Sequence, residues 1–160
     1  MVERHSCKMD YLSSNLSGAF SPLMLKATGI VSVTPGRIVC NVPYDLVRYL
    51  RQLIYWEFPN LIGGLDFARH KPHITLAQPK LNRIDQKSAN RYDGLKVNFE
   101  YSPDIYIGGF RKGFVGFYTE IQSEVLDRIR REVITYHAGR PASLHLSICN
   151  SKQRHITDEK

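Results

Sequence analysis

Twice in this chain a histidine stands two residues ahead of a hydroxyl residue inside a short apolar run: PHITLAQ at 72–78 and SLHLSIC at 143–149. On a strand, residues two apart share a face. His73, Thr75 and Ala77 are therefore expected on one face, with Ile74 and Leu76 on the other. His145, Ser147 and Cys149 are expected together in the second copy, opposed by Leu144, Leu146 and Ile148. An imidazole gives or takes a proton near neutral pH, and a hydroxyl donates a hydrogen bond to a non-bridging phosphoryl oxygen. Two such pairs facing each other supply both halves of a displacement at phosphorus. One ring takes a proton from the attacking water or ribose hydroxyl while the other gives one to the leaving oxygen. That chemistry needs no metal, the chain offers no acidic cluster to hold one, and no cofactor is expected. A third match, His155-Ile156-Thr157, is followed only by DEK, with no apolar run to seat it as a strand, and is set aside.

The elements around the two motifs repeat. Arg37 to Val42 alternates as a strand, and after Pro43 the residues Leu46, Val47, Leu50, Leu53, Ile54 and Trp56 recur at helical spacing until Pro59 and Gly63-Gly64, before PHITLA returns as a strand. In the second half Phe114 to Glu120 reads as a strand. Ile121, Val125, Leu126, Ile129, Val133 and Ile134 then form the apolar stripe of a helix broken by Gly139 and Pro141, and SLHLSIC comes next. Strand, helix, loop and His-x-hydroxyl strand thus occur twice, which implies two similar lobes about one cleft. PLMLKATG and GIVSVTPG read as short strands or a hairpin closed by Pro35-Gly36, and LKVNFEY and DIYIGG as strands that flank the sheets.

With 160 residues, 42% of them hydrophobic and 23% charged, the chain forms a single domain over 1–160, with an irregular arm at 1–22 carrying Tyr11, Leu12 and Phe20 and a polar tail at 151–160. No apolar run reaches bilayer length and no signal-peptide pattern opens the chain, so a cytoplasmic protein without a membrane partner is expected. Cysteines 7, 40 and 149 are unpaired in pattern and suggest neither a disulfide framework nor zinc. A net charge of +7 and a pI near 9.4 favour polyanionic partners. Basic residues crowd 69–96, where Arg69, Lys71, Lys80, Arg83, Lys87, Arg91 and Lys96 face only Asp85 and Asp93; the run reads either as a solvated face or as a phosphate-binding one.

PHITLA and LHLSI resemble the paired motifs (hydrophobic, His, any residue, Thr or Ser, hydrophobic) of the two-histidine (2H) phosphoesterase superfamily. The resemblance covers roughly residues 37 to 150. It implies an α+β bilobal fold, with two antiparallel-sheet lobes and outer helices related by a pseudo-twofold axis around a central cleft. It also implies His73 and His145 as acid and base, and Thr75 and Ser147 as phosphate holders. Ser147 stands where Thr is commoner in that family, and the arm before Arg37 is longer than a minimal member needs.

Substrate bases call for aromatic faces and phosphates for cations. Tyr106, Phe110, Arg111, Lys112, Lys71 and Trp56 are the candidate binding residues, with Tyr44, Tyr118 and Lys152 as further ones. The glycine-rich GGFRKGFVGF lacks the spacing of a P-loop and reads as a hairpin turn bearing basic residues. The expected function is a metal-independent phosphodiesterase acting on nucleotides, small linear or cyclic oligonucleotides or RNA ends. A viral or phage enzyme that degrades an oligonucleotide defence signal falls within that class. The alternative is a basic RNA-binding module of the same fold without catalysis.

Overall fold

A computed structural model describes residues 24–59, 71–111, 114–140 and 143–152. The expected arm at 1–22, Arg69, Gly63-Gly64, Pro141 and the 155–157 match lie outside the described residues. Nine strands and three helices run in the order β1 (Leu25–Thr34), β2 (Arg37–Asn41), α1 (Tyr44–Glu57), β3 (His73–Ala77), β4 (Asn82–Ile84), α2 (Gln86–Asn90), β5 (Lys96–Tyr101), β6 (Tyr106–Arg111), β7 (Phe114–Gln122), α3 (Glu124–Val133), β8 (Ile134–His137) and β9 (His145–Lys152) among the described residues.

The chain is mixed α+β. Seven strands form one sheet in the order β5-β1-β2-β3-β9-β7-β6, and β5 also pairs with β7 through Glu100↔Gln122 and Tyr101↔Ile121. That second pairing closes six of the strands into an antiparallel barrel, with β6 held on the other half of β7. Separate sheets for two lobes were expected; the strands are continuous because β3 and β9 pair with each other at Ile74↔Leu146. Outward from that pair the order is β2, β1 on one side and β7, β6 on the other. Each side is a hairpin followed by a helix and then a motif strand.

Local chemistry explains the elements. β1 is a single strand of 10 residues, so the first hairpin is β1–β2, turned by Pro35 and by Gly36 at φ 74. Proline holds φ near −65°, and glycine tolerates the positive value that comes after it. α1 begins after Pro43, whose missing N–H costs nothing at a helix start. It buries Val47, Leu50, Leu53 and Ile54 at helical spacing, and the Phe58 N–H closes it on the Ile54 carbonyl. Trp56, expected within the stripe, is 81% exposed.

α3 is shorter than its apolar pattern. Ser123 sits in extended backbone and accepts the Leu126 N–H while donating to the Asn98 carbonyl, so the helix starts at Glu124. Ile121 stays in β7 and Ile134 opens β8. β4 and β8, which pair with each other, and α2 were not anticipated; they occupy the stretch read as basic loop and the end of the expected helix. Lys80, Arg83, Lys87, Arg91 and Lys96 are exposed there, Arg83 lying over the Tyr136 ring.

One face of the sheet is apolar apart from Thr119 at the β3–β9–β7 pairing. Val31, Cys40, Ile74 and Leu146 are buried on it, in a core shared with Leu126, Ile129 and Val133 of α3 and with Leu50 and Ile54 of α1. Thr119, paired with Leu146 and fully buried, donates its hydroxyl to the Ser102 carbonyl. No helix among the described residues is long and apolar enough to cross a membrane.

Close approach of β1 and β2 makes Gly29 a sensitive position. A Cβ there would lie 2.5 Å from the Cys40 sulfur and 2.6 Å from the Asn41 carbonyl oxygen. Alanine gains about 0.5–1 kcal/mol over glycine in chain entropy, whereas overpacking costs about 1–3 kcal/mol, so the clash wins. Gly29→Ala is expected to lower the denaturant midpoint at unchanged slope, and an unchanged or raised midpoint would show that the strands can part there.

Candidate active site

Four polar side chains meet where β3 and β9 join. Counting the antiparallel register one residue either way from Ile74↔Leu146 sets His73 opposite Ser147 and Thr75 opposite His145. Ile74 and Leu146 are buried on the core face, so the quartet stands on the other face, with His73 and Thr75 half-buried and His145 and Ser147 exposed. The two histidines occupy opposite corners, each across the strand junction from the other motif's hydroxyl. Diagonal neighbours of an antiparallel pair have Cβ atoms about 7–8 Å apart, within reach of two imidazoles that flank one anion.

Both rings are held the same way. Nδ1 of His73 lies 2.8 Å from the Lys71 carbonyl, and Nδ1 of His145 lies 3.2 Å from the Ser143 carbonyl. A carbonyl only accepts, so each Nδ1 is the donor and each Nε2 is directed to other partners. Lys71, anticipated for its ammonium, is thus seen to orient a catalytic candidate through its main chain. Arg37 Nη2 lies 3.4 Å from His73 Nε2. Guanidinium has no acceptor, so in this contact Arg37 donates and His73 Nε2 accepts.

Bulges change what lies beyond each hydroxyl. Val39 pairs with Thr75 and Ile38 with Ala77, which passes over Leu76. Tyr118 pairs with Ser147 and Phe117 with Cys149, which passes over Ile148. An extra residue in one strand reverses the facing of the residues beyond it. Ala77 and Cys149, expected beside the hydroxyls, are instead 1% and 5% exposed and belong to the core. The bulge falls at the same step in both motifs.

Neighbouring strands complete the face. Asn41 pairs with His73, Tyr118 with Ser147, Glu120 with His145 and Tyr106 with Tyr118. The Tyr118 ring meets the His145 ring edge-on at a centroid distance of 5.7 Å, and Tyr106 stacks on Tyr118 at 5.8 Å. Burial, and then the Glu120 charge, push the Tyr118 hydroxyl above the usual phenol range, so it stays a neutral donor. Of the candidate binding residues, Tyr106 is therefore brought to the site through Tyr118. Trp56 and Tyr44 project from the two ends of α1, and Tyr44 is engaged by Arg48 over its ring and by Arg51 at its hydroxyl. The side chains of Phe110, Arg111, Lys112 and Lys152 lie outside the described residues.

Sequence reasoning missed Arg37, although it shares the strand spacing of Val39 and Asn41, one strand away from His73. It also missed a cavity of about 90 Å³ at the Thr75–His145 end of the quartet, lined by both of these with Asn82, Arg130, His137 and Arg140 among others. A larger groove, about 690 Å³, lies between β1, β5 and the start of α3 and contains none of the four motif residues; it offers no histidine to move a proton. No protein-family model, curated protein or solved structure matches the chain.

Cys149 cannot serve as a nucleophile beside the quartet, because burial pushes its thiol up to about 12; burial likewise raises Cys40 to about 11. In a Cys7→Ser variant the folded protein is expected to resist a thiol reagent at pH 8 and to react at two sites once denatured. The unfolded thiols ionise near 9.0 while the folded ones keep their protons, so the stability they contribute is complete below pH 9 and is lost as pH climbs towards 11–12. Rapid labelling of native protein at pH 8 would contradict that burial.

Proposed function

We propose that the chain is a phosphodiesterase that needs no metal and acts on nucleotides, oligonucleotides or RNA ends by paired-histidine acid–base catalysis. One observation carries the reading: two imidazoles at opposite corners of the β3–β9 junction, each tied through Nδ1 to the carbonyl two residues before it. A phosphate resting over Ile74 and Leu146 would meet an Nε2 from either side and a hydroxyl, from Thr75 or Ser147, beside each.

In this reading His73 is the base, with the Arg37 guanidinium 3.4 Å from its Nε2 and able to turn to the phosphate when substrate binds. His73 takes the proton of the attacking water or ribose hydroxyl as the new O–P bond forms. His145 gives its Nε2 proton to the leaving oxygen as the old P–O bond breaks. Thr75, Ser147 and the Arg37 guanidinium hold the charge that grows on the non-bridging oxygens. Bases are received on the Tyr106–Tyr118 stack beside His145.

The fold supports the same reading. Each half contributes a hairpin, a helix and a motif strand in mirrored order about the junction, which suits two lobes related by a pseudo-twofold axis with the phosphate near it. The sequence resemblance to the 2H phosphoesterases implies that arrangement.

Replacing either histidine by alanine is expected to cost about 10²–10⁴-fold in turnover of a 2′,3′-cyclic or dinucleotide substrate, with chelator present throughout. With a p-nitrophenyl leaving group, which needs no proton, His145→Ala should recover most of its loss and His73→Ala should not. The rate is expected to rise and then fall with pH, because one ring must be neutral while the other is charged. Full activity in both histidine variants, or its loss to chelator in the unaltered protein, would overturn paired-histidine catalysis, and binding of RNA without cleavage of any substrate would leave the non-catalytic module.

A further inference from the structure

The two sides of the junction differ in what their helices present. α1 buries Val47, Leu50 and Ile54, and α3 buries Leu126, Ile129 and Val133 at the same spacing, so Arg51 and Arg130 occupy one helical phase. α1 packs near β9 and α3 near β3. Arg51 is engaged with tyrosines, donating to the hydroxyls of Tyr44 at 3.0 Å and Tyr55 at 3.2 Å. Arg130, its side chain 19% exposed, lines the cavity beside Thr75 and His145, with Nη2 3.8 Å from the Asp127 carboxylate.

The other walls of that cavity donate as well. The Gln78 N–H bonds Asn82 Oδ1 at 3.0 Å, which leaves the Asn82 amide nitrogen to donate to His137 Nδ1 at 2.9 Å. His137 Nδ1 must then accept, so its proton sits on Nε2 as a donor. Arg140, exposed, and Ser143 complete a set of donors opposed by Asp127 and, across from His145, by Glu120. The volume of about 90 Å³ corresponds to roughly three waters at about 30 Å³ each. It falls far short of the roughly 300–1,000 Å³ of pockets that take whole small molecules, so a phosphate fits where a nucleobase does not.

We infer that this cavity binds a second phosphate of the substrate, so that the preferred substrate is an oligonucleotide carrying a further phosphate on the His145 side of the bond to be cut. The inference rests on the phosphodiesterase reading above and gives the substrate a direction: the side served by Arg130 and Arg140 takes the extra charge. Charge-assisted bonds from two guanidiniums and a neutral imidazole suit a phosphate dianion.

The test pairs a dinucleotide bearing a terminal phosphate, at the 5′ or the 3′ end, with the same dinucleotide lacking it. The phosphorylated form of one end is expected to have a kcat/KM about 10- to 100-fold higher. Arg140→Gln, at an exposed position, and Arg130→Gln should bring that ratio towards one. A ratio near one for both ends in the unaltered protein overturns the inference. A second readout needs no turnover. Inorganic phosphate is expected to shift the His137 imidazole resonances in the unaltered protein and in a His73→Ala variant, and not in an Arg130→Gln/Arg140→Gln double variant. His137 resonances indifferent to phosphate overturn the site. A phosphate-responsive His137 in a protein that cleaves neither dinucleotide supports the site and removes the phosphodiesterase reading alone.

Discussion

The structure depends on one backbone pairing between distant segments. Ile74 and Leu146 meet in antiparallel register, both buried, and that single pair dictates the rest of the site. Strand geometry requires that the residues flanking a core-facing pair point the other way. The antiparallel sense then requires each histidine to face the other motif's hydroxyl. A slip of one residue would bury the imidazoles and expose the apolar residues, which an apolar face covered by two helices forbids. The hydrophobic effect on one face thereby positions polar chemistry on the other.

The immediate surroundings of the quartet repeat on both strands. Each imidazole is fastened by its Nδ1 to the carbonyl two residues earlier, and each strand bulges one step after its hydroxyl. The bulges have an energetic sense. They let two successive apolar residues, Leu76-Ala77 and Ile148-Cys149, both enter the core. A regular strand would have placed Ala77 and Cys149 out beside the polar groups.

Beyond the quartet the repetition stops. Arg37 touches one histidine, and Tyr118 with Glu120 attends the other. Arg51 lies among tyrosine hydroxyls while Arg130 borders a polar cavity. Two nearly symmetric His-x-hydroxyl pairs therefore stand in unequal surroundings, cationic and aromatic on different sides of one junction. Of the basic run at 71–96, Lys71 serves through its carbonyl, while Lys80, Arg83, Lys87, Arg91 and Lys96 lie in solvent on β4, α2, the start of β5 and the turns between them.

By itself the sequence determined the periodic parts: the motif strands, the apolar stripes of α1 and α3, the hairpin after Phe110 and the facing of His73, Thr75, His145 and Ser147. Each of these is set by neighbours within a few residues, and periodicity of side chains records it. Boundaries were less legible where a cap or a partner strand intervened. Ser123 started α3 late, and β4 and β8, short and ordinary in composition, exist because they pair with each other. The inward turn of Cys149, the closure of the barrel by β5 and β7, the approach of Arg37 to His73 and the cavity under Arg130 were decided by tertiary structure alone. They arise from contacts between segments far apart in the chain, whose register and packing no local pattern encodes.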